Sequence, residues 1–324
     1  MDGFRFNNKQ DLFDLLQVDQ ETIEDAIKNK SKAYIKYAKK KKDGYRTIYS
    51  INQSHPIYLM QKRLKANFFN VILFPECVFG FIKNRSYYDF LKPHCSDKEK
   101  YFLRLDISNF FDSMQISDFK DALNYYISKN DDITSEDIIW IVDTICDITA
   151  FQEHFIQGAV TSPDISNIVF RSLDIRIERY CQKLNITYTR YADDLLFSSE
   201  SDYIHKKMFL NRIKHIIKDK GFELNHNKTL KYRSEIALNG YVVGKDIRLS
   251  RSKLNSLNKI IFKMNSKSFK GFSTEWTQKL VRNKLAGYRA FLIQSIRYTD
   301  DNIITNKIQN KIIRIERLIN KYCI

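Results

Sequence analysis

Residues 187–199 read Thr-Tyr-Thr-Arg-Tyr-Ala-Asp-Asp-Leu-Leu-Phe-Ser-Ser and set two adjacent carboxylates, Asp193 and Asp194, between β-branched, aromatic and apolar runs. Such flanks predict strands over 186–192 and 195–198, joined by a tight turn carrying both acids. Like charges ~4 Å apart repel by about 4 kcal/mol at an effective dielectric of ~20, so a rigid tip bearing two of them calls for cations. Standing alone, such a pair is ordinarily a solvated turn. A third acid changes the reading: Tyr101-Phe-Leu-Arg-Leu-Asp106 is an apolar-rich strand ending in a carboxylate, followed by Ile-Ser-Asn-Phe-Phe111. Carboxylates at a strand end and a hairpin tip can clamp two Mg²⁺ ions, which take oxygen ligands and keep positions open for water and phosphate. Two such ions ~4 Å apart can activate an attacking hydroxyl and stabilise a leaving pyrophosphate.

The elements that must hold these acids are legible in outline. Residues 8–38 read helical, with Asn8 as a cap and Leu12, Leu15, Leu16, Ile23, Ala26 and Ile27 at helical spacing. Residues 45–51 read as a strand and 56–69 as a basic helix bearing Leu59, Leu64 and Phe68. Residues 116–150 read helical. A helix follows Pro163 with Ile165, Ile168, Val169 and Leu173 as its stripe, and another spans 204–220, ended by Gly221. Short strands backed by helices make an α+β body. From about Ser250 the pattern is helical throughout, with three stripes: Leu254, Leu257, Ile260, Ile261; then Trp276, Leu280, Leu285, Tyr288, Leu292; then Ile304, Ile308, Ile312, Ile315, Leu318.

The Asp106 segment and the Tyr-Ala-Asp-Asp turn resemble the first and third palm motifs of reverse transcriptases. Between them, Gln157-Gly158-Ala159-Val160-Thr161-Ser162-Pro163-Asp164-Ile165-Ser166-Asn167 resembles the second. Gly221-Phe-Glu-Leu-Asn225-His-Asn-Lys228-Thr229 resembles the fourth, and 238–243 stands in the place of the primer grip. Gly44-Tyr-Arg46-Thr-Ile-Tyr49 and Phe79-Gly-Phe81 resemble fingers motifs. The resemblance implies an α+β right-hand polymerase fold: fingers and an antiparallel palm sheet with helices interleaved over 1–247, and a basic helical thumb over 248–324. It implies Asp106 and Asp193 as the main Mg²⁺ ligands (Mn²⁺ as a substitute), with the Ile107 carbonyl contributing and Asp194 as a looser ligand. Phe111 would lie beneath the incoming sugar, where a bulky ring leaves no room for a 2′-hydroxyl. Gln157 and Gly158 would pass under the template–nucleotide pair, glycine permitting close backbone approach. Ala159-Val160 replaces the family's usual Ala-Pro, which would loosen one turn. Arg46, helped by a lysine such as Lys42, would grip the triphosphate, a planar guanidinium suiting phosphate oxygens. Lys228 would donate a proton to pyrophosphate.

No RNase H, integrase or endonuclease domain is expected beside this core in the 324 residues, and the chain most resembles stand-alone bacterial retron enzymes and their defence-associated relatives. The retron signatures are partly matched. Phe90-Leu91-Lys92-Pro93-His94 keeps the histidine of Asn-Ala-x-x-His, and Leu238-Asn239-Gly240 keeps the glycine of Val-Thr-Gly; Gly287-Tyr-Arg-Ala-Phe291 resembles the retron thumb. These signatures are where a cognate RNA would be recognised. The implied activity is RNA-directed DNA synthesis from dNTPs, copying a dedicated non-coding RNA into an RNA–DNA duplex within a phage-defence system that includes an effector protein. Template-independent or protein-primed DNA synthesis is the enzymatic alternative, and a non-catalytic RNA-binding scaffold sequestering an effector is the other.

Charge fits a polyanionic partner. The formal net charge is +16, and residues 251–324 hold sixteen Lys and Arg against four Asp and Glu. Nine basic residues lie between Lys28 and Arg46 with only Asp43 opposing. Such patches bind phosphate backbones with strong salt dependence. Five widely spaced cysteines with no C-x-x-C pair argue against a zinc site or disulfide framework and fit a reducing cytoplasm. No apolar leader core and no run of 18 apolar residues occurs, so secretion and membrane spanning are not expected.

Overall fold

Two capped helices open the chain: α1 (Lys9–Leu16), where the Asn8 side chain accepts from the Gln10 N–H, and α2 (Gln20–Lys28), where Asp19 accepts from Thr22. The structure, a computed structural model, describes residues 6–41, 44–127, 133–265, 275–296 and 302–322. Helix does not continue to residue 38 as the sequence suggested. From Tyr34 the chain is extended: β1 (Tyr34–Lys41) pairs antiparallel with β2 (Gly44–Ile51), Tyr34 opposite Ile51 and Lys41 opposite Gly44. The 3.6-residue stripe ends at Ile27, and beyond the buried Tyr34 residues 35–38 are all exposed. Pairing along the whole strand with β2 overrides the helical reading.

The remaining elements follow in chain order as α3 (Pro56–Asn67), α4 (Tyr87–Leu91), β3 (Tyr101–Asp106), α5 (Ile116–Ile127), α6 (Ser135–Thr149) and α7 (Ser162–Gln182). Then come β4 (Thr187–Tyr191), β5 (Asp194–Ser199), α8 (Lys207–Lys218), β6 (Leu230–Arg233), β7 (Ile236–Leu238), β8 (Tyr241–Val243) and β9 (Ile247–Leu249). The described helices after them are α9 (Arg251–Asn265), α10 (Glu275–Ile296) and α11 (Asn302–Tyr322). The sheets run β1-β2, β4-β5-β3-β6 and β7-β8-β9.

Contacts divide the chain into two compact units. The first is Met1–Arg85, Leu103–Phe197 and Tyr203–Leu230; the second is Ser86–Phe102, Ser198–Asp202 and Lys231–Ile324. In the first unit, α7 buries Ile165, Ile168, Val169, Leu173 and Ile177, and α8 buries Phe209, Ile213, Ile216 and Ile217. Every residue of β5 is buried, hence its unbroken apolar run rather than an alternating one. Phe197 packs between Tyr188 and Phe209, at centroid distances of 5.0 and 5.3 Å.

In the second unit, Leu257, Ile261, Met264, Leu285, Leu292, Ile308, Ile312, Ile315 and Leu318 form one apolar cluster, joining the three stripes read from sequence. The side chains of Trp276, Leu280 and Ile304 lie outside the described residues. β7 and β8 are joined by Asn239-Gly240, both at positive φ (47° and 94°), the pattern of a primed hairpin turn. That dipeptide is a hairpin signal the sequence reading did not use. A Cβ on Gly240 would meet the side chains of Lys253 and Phe291, and Phe291 packs 4.4 Å from Tyr241. The partly matched signatures at 238–240 and 287–291 are thus one packing joint.

Gly158 is the glycine on which the first unit most depends. Its φ is +116°, and a Cβ there would stand 1.9 Å from the Tyr49 carbonyl oxygen, while the Tyr49 N–H donates to Gln157 O at 3.1 Å. Gly158→Ala is expected to lower unfolding free energy by at least about 1–3 kcal/mol from backbone strain alone, read as a lower urea midpoint; an unchanged midpoint would refute it.

Candidate active site

Asp106 ends β3 and Asp193 sits in the turn between β4 and β5. One backbone hydrogen bond joins them: the Ile107 N–H donates to the Asp193 carbonyl at 3.0 Å. From the other side, the Asn225 N–H donates to the Asp106 carbonyl at 2.8 Å, and the Ser108 N–H to Glu223. The turn differs from expectation in detail. Its residues are Ala192 and Asp193, and Asp194 is already the first residue of β5. Ala192 is left-handed at φ 55°, uncommon for a residue with a Cβ.

An open cleft of about 860 Å³ lies over this junction, lined among others by Lys36, Tyr49, Phe81, Asp106, Ile107, Phe111, Gln157, Asp193 and Lys228. Asp106, Ile107, Phe111, Gln157, Asp193 and Lys228, all singled out from sequence, therefore line one cleft. Phe111 is half-buried there, its ring 6.3 Å from Phe81 and 5.6 Å from Phe110, and is not simply core. Gly158 is not a lining residue; its close approach is to β2. Arg46 pairs through its backbone with Lys39, but its side chain, and Lys42 altogether, lie outside the described residues.

The three acids sit in different environments. Asp106, 2% exposed, accepts from Lys228 Nζ with both carboxylate oxygens, at 2.9 and 3.0 Å. Asp193 is held above the usual carboxylate range by burial, reinforced by Asp106 and opposed by Lys228 and Arg104. Asp194 is not among the cleft residues. Its carboxylate accepts from Arg104 Nε at 2.9 Å and from Arg104 Nη2, and burial pushes it up to about 6 against that cation. Arg104 Nη2 also stands 3.6 Å from Asp106. Sequence reading passed over Arg104, although a cation two residues before Asp106 on one strand shares its face.

Carboxylate oxygens and a main-chain carbonyl, with no sulfur or imidazole, are the donor chemistry of a hard divalent ion such as Mg²⁺. Asp106, Asp193 and Ile107 fit that role from the cleft wall. Among the described residues no three His, Cys, Asp or Glu side chains already stand together as a metal cluster, consistent with Asp194 facing Arg104.

Two further expectations change. Val160, in place of proline, supplies an N–H to buried Gln61 at 3.2 Å, a bond that proline could not make. Gln61 in turn donates to Tyr34 Oη and to the Ile148 carbonyl, tying α3, β1 and α6 to the 157–160 segment. His94 is fully buried with Nδ1 2.8 Å from Ser198 Oγ, which removes it from any RNA-facing surface.

A strand-end Asp and a hairpin Asp on the floor of an open cleft, carried by a sheet with α7 and α8 packed against it, define an α+β right-hand polymerase fold. Residues 38–243 match the family described as Reverse transcriptase (RNA-dependent DNA polymerase), and the chain belongs to the reverse transcriptase family. The Retron Ec73 reverse transcriptase of Escherichia coli is 34% identical over 196 residues, covering 58% of this chain and 60% of that protein. The Retron Ec48 and Ec86 reverse transcriptases of the same organism are each 26% identical, over 74% and 78% of this chain and 62% and 76% of their own lengths. The chain thus spans about three fifths of the length of the first two relatives. Telomerase from Candida albicans, solved in complex with a TWJ fragment of telomeric RNA, shares the fold at a TM-score of 0.50 and 11% identity, over 94% of this chain and 66% of that one. No described helix is long and apolar enough to cross a membrane.

Burial holds the folded His94 pKa down to about 3, aided by Lys100, against 6.5 as a free side chain. The unfolded chain therefore takes up this proton first. The His94 contribution is complete above pH 6.5 and is lost as pH falls toward 3. The stability gap between the wild type and His94→Gln is expected to shrink by about 2 kcal/mol between pH 7.5 and 5, measured by urea titration at each pH; a constant gap would contradict a buried neutral imidazole.

Proposed function

We propose that this protein is an RNA-directed DNA polymerase that copies a dedicated non-coding RNA from dNTPs, as retron enzymes do, within a defence system that includes an effector protein. The observation that carries the reading is the junction of Asp106 and Asp193 through the Ile107–Asp193 hydrogen bond, on the wall of a cleft shared with Phe111, Gln157 and Lys228. Similarity to the three Escherichia coli retron enzymes supports the choice of template class. Residues 1–247 act as fingers and palm and residues 248–324 as the thumb, whose basic helices track the duplex through its phosphates.

In this reading Asp106, Asp193 and the Ile107 carbonyl would hold two Mg²⁺ ions, with Asp194 as a looser ligand. Mg²⁺ bound there would favour deprotonation of the primer 3′-hydroxyl and offset charge on the leaving pyrophosphate. The hydroxyl gives its proton to water and its oxygen bonds to the α-phosphorus, the bond from the α-phosphorus to the bridging oxygen of the β-phosphate breaks, and Lys228 gives the departing pyrophosphate a proton. Lys228 reaches the cleft from beside Asp106. Phe111 excludes a 2′-hydroxyl, Gln157 lies beneath the nascent pair, and Arg46 with Lys42 closes on the triphosphate.

Incubated with Mg²⁺, dNTPs and a primed RNA template, the wild type is expected to extend the primer. The double variant Asp193→Ala/Asp194→Ala should fall by more than roughly a hundred-fold. Absence of extension on every template offered, including the RNA that co-purifies, would sink the reading. Phe111→Val is expected to raise incorporation of ribonucleotides relative to deoxyribonucleotides by roughly 10–200-fold, the range commanded by a change in pocket shape. Unchanged discrimination would remove Phe111 from the sugar site.

A further inference from the structure

The turn that presents Asp193 contains neither glycine nor proline, yet Ala192 is held left-handed. What holds it is a side chain from the preceding strand. Arg190 is fully buried and folds back beneath the turn. Its Nε and Nη2 donate to the two carboxylate oxygens of Asp174 at 2.8 and 2.7 Å. Nη2 also donates to Asn167 Oδ1 at 3.0 Å, and Nη1 donates to the Ala192 carbonyl at 3.1 Å. The guanidinium lies 4.7 Å from the Phe170 ring.

The clamp extends to a third segment. The Arg190 N–H donates to Cys77 O and the Phe79 N–H donates to Arg190 O, at 2.7 and 2.8 Å. Asn167 Nδ2 donates to the Gly80 carbonyl at 2.8 Å, and a Cβ on Gly80 would stand 2.4 Å from the Ala192 nitrogen. The turn is thus fixed from beneath by Arg190 and from the side by the 77–80 segment. A planar fork of five N–H donors can serve Asp174, Asn167 and Ala192 together; an ammonium on a flexible stem cannot reproduce that arrangement.

We propose that Arg190 is a positioning residue: by fixing the Ala192 carbonyl it sets the direction in which Asp193 is presented, so divalent-ion affinity at Asp106 and Asp193 depends on a guanidinium that touches neither metal nor substrate. The inference rests on the reading of Asp193 as a metal ligand. Supports of this kind, one step removed from the ligands, commonly control metal affinity by ten-fold or more. Asn167, in the second palm motif, has the same task through Arg190 and Gly80.

The test is direct Mn²⁺ binding to the full chain without nucleic acid, read from the EPR signal of free Mn²⁺, beside the Mg²⁺ dependence of primer extension. Arg190→Lys is expected to raise the Mn²⁺ dissociation constant roughly ten-fold. The Mg²⁺ concentration for half-maximal extension should rise in step, with the dNTP KM at saturating metal changed less than about two-fold. Asn167→Ala keeps the Arg190–Asp174 pair, and its dissociation constant should rise by a smaller factor, about three-fold; it carries the test if Arg190→Lys does not fold. Tyr188→Phe removes a 2.9 Å hydrogen bond to Asp174 without touching the turn, and should lower the urea midpoint while leaving Mn²⁺ affinity unchanged. Wild-type Mn²⁺ affinity in folded Arg190→Lys, or in Asn167→Ala, overturns the proposal, as does an equal shift in Tyr188→Phe. Asp193→Asn separates the two layers: if it binds Mn²⁺ as the wild type does, the metal-ligand reading of Asp193 fails as well.

Discussion

Burial of neighbouring carboxylates governs this site. Asp106, Asp193 and Asp194 meet where β3 ends and β5 begins, largely out of water, where like charges interact more strongly than at the surface. Each is managed differently. Lys228 spans both oxygens of Asp106, Arg104 holds Asp194, and Asp193 opens onto the cleft with its carboxyl group pushed up in pKa. Among the described residues Lys228 and Arg104 pair directly with Asp106 and Asp194 but not with Asp193, which suits a residue expected to receive a divalent ion.

The backbone around these acids is overdetermined for the same reason. Ile107, Asn225 and Ser108 fix the end of β3 through main-chain bonds to Asp193, Asp106 and Glu223. The hairpin is pinned by Arg190, whose charge survives full burial: desolvation works against it, and Asp174 outweighs that cost, leaving the guanidinium above its ordinary pKa. A buried pair of this kind adds little net stability against an apolar substitute, but losing one partner strands the other charge. Its value lies in geometry, because it leaves the turn one way to sit.

How much of this was legible in the chain depended on the range of the interaction. Asp106, Asp193, Phe111 and Gln157 announce themselves through local context and line one cleft, and the α7 and C-terminal stripes are legible through periodicity. The strand at 34–41 was misread because its partner β2, not its own propensity, makes it extended. Arg104, Arg190 and Gln61 were passed over because a cation or amide in an apolar element looks incidental until its acceptors, up to about a hundred residues away, come into view. Val160 is instructive: judged against proline it looked like a loosened turn, whereas its N–H is the group that buried Gln61 requires.

The hydrogen bonds that complete the junction also order events in time. A ribosome that has reached residue 194 has made all three acids and the first of their cations, Arg104, but neither Asn225 nor Lys228. Until the chain is about thirty residues longer, Asp106 lacks both the N–H that ties down its carbonyl and the ammonium that neutralises its side chain. Contacts of such long sequence separation form late, after the loop-closure entropy has been overcome. The junction of the acids is therefore among the last parts of its unit to assemble, and a nascent chain that already carries the Tyr-Ala-Asp-Asp sequence does not yet hold its carboxylates in place.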